Sequence, residues 1–259
     1  MKCLHIACFV TLFFLCACVQ ASDLSREREY ATALATAPRF GDIVNLGEGN
    51  TAFVAIYTQT EQLKNRGTVI LLHEIGSSPD KDPVIYHLRR QLPTYHWDAL
   101  ALQMPLREAG AAPSDYYALF NEAQARILEA VRHLALKGTE TLVIVGHGLG
   151  AQMAVYAQAN APMHEIKALV AIGLNVPDSE SETAQILKFI KQLSIPLLDI
   201  YTRRDSPKLI SCARDKRLAA RNNNAYRQIK LKQFIPYVNN PKPLVQHINS
   251  WLTRVTRQD

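Results

Sequence analysis

The chain has 259 residues, 48% of them hydrophobic and 20% charged, with a formal net charge of +6. That is an ordinary globular composition, which excludes a low-complexity or disordered polymer and suffices for one large α/β domain with a sizeable core. Four of the five cysteines (Cys3, Cys8, Cys16 and Cys18) precede residue 20 and leave Cys212 alone, so a disulfide-built scaffold is excluded too.

The first twenty residues differ from the rest. Lys2 is the only charge before Asp23, and residues 3–19 are almost wholly apolar. A short positive start followed by an apolar core is the composition of a secretory signal peptide. Val19-Gln20-Ala21 suits cleavage before Ser22, which is the favoured reading. Leu15-Cys16-Ala17-Cys18 instead resembles a lipobox and would leave Cys18 lipidated, anchoring a periplasmic protein to the membrane. A membrane-spanning helix is the third option, for which the stretch is short. The expected layout is a leader over 1–21, a helical lead-in over 22–40 and a single domain over 41–259.

Residues 24–36 read as a short polar helix. Residues 42–46 and 51–58 are β-rich and joined by Gly47-Glu48-Gly49-Asn50, which predicts an antiparallel hairpin. Thr68-Val69-Ile70-Leu71-Leu72 is a continuous apolar run, as in a strand covered on both faces. Strands are expected from there at 99–103, 142–145, 168–172, 197–201 and 228–231, and helices at 84–91, 116–136, 150–158, 182–192, 208–220 and 244–255. This alternation predicts an α/β fold, a doubly wound and mainly parallel sheet. Only about twenty residues, 175–196, separate two of the strands where a lid could be inserted, so little or no lid is expected.

Ligands of such sheets bind at the carboxyl ends of the strands. Those ends carry His73-Glu74-Ile75-Gly76, Gly146-His147-Gly148-Leu149-Gly150, residues 175–178, and Arg203-Arg204-Asp205. The second group has the spacing of a nucleophile elbow, G-x-S-x-G, a strained turn that lifts a serine hydroxyl above the sheet. Its central residue is Gly148, which has no side chain with which to attack a carbonyl.

From Val69 to Asp80, through His73 and Glu74, from Val145 to Gly150, and from Ile195 to Asp205, the chain resembles the α/β-hydrolase superfamily. Within it, the chain is similar to an uncharacterised family of secreted bacterial proteins. The resemblance covers about residues 51–255 and implies a loop after Leu72 that supplies an oxyanion-hole N–H, an elbow at Gly148 and an acid at Asp205.

Three departures from that pattern stand out. Gly148 replaces the serine. Residues 232–240, after the last strand, hold no histidine, and His247 lies beyond them at the spacing of a packing residue in the final helix. Glu74 replaces the glycine of a His-Gly pair, where a carboxylate would repel a developing oxyanion unless it is protonated or turned away. Removing serine or histidine alone from such a triad costs about 10⁶ in turnover, so a retained aspartate cannot sustain acyl transfer. Asp205 could equally pair Arg203 or Arg204, or cap the next helix.

His73, Glu74, His147 and Asp205 share a sheet edge, but no close ligand spacing supports a metal, and no cofactor is expected. His147 reads as a residue packed beside the turn. Ser77, Ser78 and Cys212 lack an elbow and a matched base, and Cys212 reads as a small buried hydrophobe. Between Arg203 and Lys232 ten basic residues face two acidic ones. Most such runs are solvated faces; the functional alternative is an anionic envelope partner meeting Arg203, Arg204, Lys208, Arg214, Lys216, Arg217 and Arg221. No aromatic platform is interleaved to stack bases, so nucleic acid is not expected. The expectation is an exported, catalytically degenerate hydrolase-fold protein that holds a ligand or partner. The alternative is a hydrolase of esters or related bonds in which Glu74, His73 or His147, and Asp205 activate water.

Overall fold

A computed structural model describes residues 22–36, 40–232 and 241–257. The proposed leader, including Cys18, lies outside the described residues, as does most of the loop after the last strand. Among the described residues no helix is long and apolar enough to cross a membrane.

Eight strands form one sheet: β1 (Asp42–Leu46), β2 (Phe53–Thr58), β3 (Thr68–Leu72), β4 (Asp98–Leu102), β5 (Leu142–His147), β6 (Ile166–Ile172), β7 (Leu197–Thr202) and β8 (Tyr226–Leu231). Their order is β1-β2-β4-β3-β5-β6-β7-β8. β1 pairs antiparallel with β2, and β2 with β4; every other pairing is parallel. This is the expected doubly wound sheet with its N-terminal antiparallel hairpin.

The unbroken apolar runs follow from cover on both faces. Ile70, Leu72 and Ile144 point into a core completed by α3 (Phe120–Leu136), α4 (Leu149–Asn160) and α5 (Ile186–Gln192). Val69, Leu71, Val143 and Val145 alternate to the other face, against α2 (Pro83–Gln91) and α8 (Lys242–Val255), which contribute Ile85, Leu88, Ile248 and Trp251. All these strand residues are fully buried, so the period of two sets the two-layer architecture.

Four expected helices differ in detail, the one at 182–192 being a 3₁₀ turn, Glu182–Ala184, followed by α5. The stretch expected at 116–136 begins as a 3₁₀ turn, Pro113–Leu119, and becomes α-helical only at Phe120. Pro113 opens this turn, and Asp115 accepts the Ala112 amide at 2.8 Å. The helix expected at 208–220 is two pieces, α6 (Pro207–Ser211) and α7 (Ala213–Ala219), meeting at Cys212, which is half-buried rather than buried. The lead-in α1 (Leu24–Thr36) turns Glu27 and Arg26 inward and leaves Arg28 and Glu29 exposed. Glu27 pairs with buried Arg126 at 2.9 Å and accepts the Leu106 amide, while Arg26 donates to the Arg107 and Gly76 carbonyls.

Lys216 is corrected outright. It is fully buried, donating from Nζ to Asp199 and to the Leu174 carbonyl at 2.9 Å each, because a lysine on the inner face of α7 meets the one carboxylate within β7. Tyr226 and Gln228 donate to the other oxygen of Asp199. Lys216 therefore belongs to a core ion pair and not to the basic surface.

Candidate active site

The elbow is built from backbone. β5 ends at His147, Gly148 adopts φ 51° and ψ −111°, and α4 begins at Leu149. The Gly148 amide donates to Ile172 at 2.8 Å, which ties the turn to β6. Such torsions are sparsely populated by residues with a side chain, so glycine removes strain that a serine would bear. Gly150 is needed for a different reason, since a Cβ there would lie 2.5 Å from the Leu72 carbonyl oxygen.

Glu74 occupies the space above this turn. Its Oε1 accepts the Leu149 amide at 2.9 Å and the Ile75 amide at 2.7 Å. These are the residue after the elbow centre and the loop after β3, the two sources of oxyanion-hole donors in the elbow arrangement. A Cβ placed on Gly148 would fall 1.4 Å from Glu74 Oε2. Thus the carboxylate does not face a vacant hole and repel an oxyanion. It takes those amides itself, and it also fills the space that a side chain at 148 would need.

Asp82 fastens the surrounding pieces. Its Oδ1 accepts the Val84 and Ile85 amides and caps α2, while Oδ2 accepts the Glu74 amide at 2.7 Å and His147 Nδ1 at 2.9 Å. Although burial alone would raise it, the His147 hydrogen bond and charge and the amide donors bring the Asp82 pKa down to about 2. With Asp82 ionised, Nδ1 of His147 carries the proton. For His147 burial works to lower the pKa, but the hydrogen bond to Asp82 and the charges of Asp82, Glu74 and Asp205 together raise it above the ordinary value. The His147 side chain is 22% exposed, leaving its edge within reach of solvent.

His73 is beside this cluster and is spent on structure. Its Nε2 accepts the Met104 amide at 2.9 Å, so Nδ1 carries the proton and donates to the Glu74 carbonyl at 2.8 Å. Burial drives its pKa down to about 4 and keeps it neutral. Asp205 is committed locally: Oδ2 accepts the Thr202 amide at 2.6 Å and Oδ1 the Thr202 hydroxyl at 2.9 Å. The next helix is capped by Ser206 instead. His247 is exposed on α8.

The structure therefore brings Gly148, Glu74 and His147 together, places Asp205 close enough to act on His147 through its charge, and leaves His73 behind them as a buried strut. Among the described residues no group of three histidine, cysteine or acidic side chains is placed to hold a metal. Asp82 is the member that sequence reasoning passed over. Asp-Pro immediately before an apolar helix marks an N-cap followed by proline at N1, and that signal predicts the cap but not the second oxygen's partners.

Sheet order, elbow and oxyanion loop together define an α/β-hydrolase fold. Solved structures agree: an esterase domain from Rhodothermus marinus (15% identity, 83% of this chain and 99% of that one, TM-score 0.64), a dienelactone hydrolase from Anabaena variabilis (17%, 83% and 98%, 0.65) and an esterase from Pyrococcus furiosus (13%, 83% and 93%, 0.65). At these identities the likeness is one of fold. The chain belongs to the family described as "Protein of unknown function (DUF3530)", whose model matches residues 17–122 and 109–254. No curated protein sequence matches the chain.

Proposed function

We propose that this protein is an exported, non-catalytic member of the α/β-hydrolase fold that holds a ligand or a protein partner in the cell envelope. One observation carries the loss of catalysis: the Glu74 carboxylate accepts both the Leu149 and Ile75 amides above Gly148. An acyl-transfer site needs those donors free for charge that develops in the transition state, and here a resident carboxylate has already taken them. No side chain at 148 can attack, and Asp205 is held by Thr202. The composition of residues 1–21 supports export, and the lipobox-like Leu15–Cys18 stretch supports an anchored variant of the same reading.

The test is incubation of the purified chain with a fluorophosphonate probe and with activated short-chain esters. Neither labelling nor turnover above the buffer rate is expected. Stoichiometric labelling, or an acyl adduct trapped during turnover, refutes the reading.

The Asp82–His147 pair supports a second reading, a hydrolase that activates water. Glu74 would act as base through Oε2, with His147 oriented by Asp82. It requires measurable hydrolysis that Glu74→Gln abolishes. Activity that survives Glu74→Gln excludes this version.

A further inference from the structure

Helix α7 divides its residues between two environments. Ala213, Lys216 and Ala220 face inward and are buried. Arg214, Arg217 and Leu218 follow one another at the i, i+3 and i+4 positions of α7, Arg221 stands in the turn just past its end, and all four are exposed. Leu218 is 56% exposed, one of four large apolar side chains left open to water among the described residues. None of the three arginines has an ion-pair partner among the described residues. Asp215, exposed in the first turn of α7, is the only acid between Ser206 and Lys232, so the three arginines outnumber the acidic charge beside them.

We propose that this face of α7 docks on the surface of an anionic lipid bilayer. Arginine guanidiniums present planar forks that match phosphate oxygens, and each basic residue near an anionic membrane adds to the attraction. A cationic stripe alone would serve any polyanion. Leu218 points to the bilayer, since an exposed leucine beside three arginines gains from a partner with an apolar layer directly beneath its charged one. A soluble polyanion would engage the arginines and leave Leu218 in water. Burying Lys216 leaves the exposed basic residues of α7 on its outer side.

The experiment is sedimentation of the chain from Ser22 to Asp259, which contains every described element, with vesicles at about 0.15 M salt. Vesicles of equal phosphatidylglycerol and phosphatidylcholine should carry the protein down, and vesicles of phosphatidylcholine alone should not. The triple variant Arg214→Gln, Arg217→Gln, Arg221→Gln should weaken binding at least about tenfold, and Leu218→Ser should weaken it about tenfold by removing the apolar half of the contact. Both sets of side chains face solvent, so unchanged unfolding midpoints will show that the fold is intact. Three arginine-to-lysine changes should retain most of the binding. Equal binding to both vesicle types overturns the proposal, as does no binding to the anionic ones. If Leu218→Ser binds like the parent while the arginine variant is lost, the stripe is a general polyanion site and the bilayer assignment fails.

Discussion

Glu74 Oε1 lies 2.9 Å from the Leu149 amide nitrogen and accepts its proton, so a side chain from the loop after β3 is seated at the first turn of α4, above the elbow. The N-terminus of α4 favours negative charge there, and the Glu74 carboxylate is the group seated on it.

Position 148 should therefore be coupled to position 74. Gly148→Ser places a side chain at φ 51° and into the Glu74 carboxylate, and should destabilise the protein by about 2–4 kcal/mol in urea unfolding. Glu74→Gly should relieve the steric part, so the double variant should recover at least about 1 kcal/mol over the sum of the single changes. Additive losses would show that the two residues do not compete for space. The double variant should remain inactive toward esters, because Asp205 is still held by Thr202 and no catalytic histidine has been added.

The two histidines should titrate in opposite directions from pH 6.5. His73, held neutral with a pKa near 4, makes the folded chain refuse a proton that the unfolded chain accepts. Its contribution is complete at high pH and is lost as pH falls from about 6.5 towards 4, on the order of 3 kcal/mol over the whole range. His147 has a raised pKa, so its stabilisation is complete below pH 6.5 and fades as pH climbs through the folded value. Asp82, with a pKa near 2, gives stabilisation that persists above about pH 3.8 and disappears as pH falls towards 2. Histidine ring resonances read these values directly; a His73 midpoint near 6.5 would contradict its buried, doubly bonded placement.

Lys216→Met should cost about 3–5 kcal/mol, since it strands Asp199 in the core with one partner gone. Tyr226 and Gln228 still donate to that carboxylate, which places the expected loss near the lower figure. A loss below about 1 kcal/mol by chemical denaturation would mean that Lys216 points to solvent in solution.

Glu27→Ala should loosen α1 without unfolding the sheet. Arg126 keeps Glu122 and the Gln103 carbonyl, so the global cost should be only about 2 kcal/mol. Hydrogen exchange across Leu24–Thr36 should rise well above that of β3 or β5. Equal protection of α1 in both proteins would show that Glu27 does not hold it.

The fold was legible because the pattern of two and the pattern of three to four sit in clean alternation, and because fully apolar runs such as Thr68–Leu72 and Leu142–Val145 admit little besides a sheet covered on both sides. The elbow was legible from glycine spacing alone. The seat taken by Glu74 was not, since sequence places a carboxylate beside the oxyanion loop but does not tell whether it turns away from the amides or onto them. Asp82 was hidden by doing two jobs, with only the helix cap leaving a mark in the sequence. Lys216 was misread because a count of charges between Arg203 and Lys232 ignores helical phase: residues 213 and 216 share the inner side of α7, while 214, 217 and 218 share the outer.

The corner between β5 and α4 adopts rare torsions at a residue that carries no side chain. Its geometry is thus a vertex of the architecture, fixed by the Gly148 amide on Ile172 and by the close passage of Gly150 against Leu72. A designer seeking to hang a side chain on this corner would inherit a ready-made vertex, but would first have to evict its tenant carboxylate.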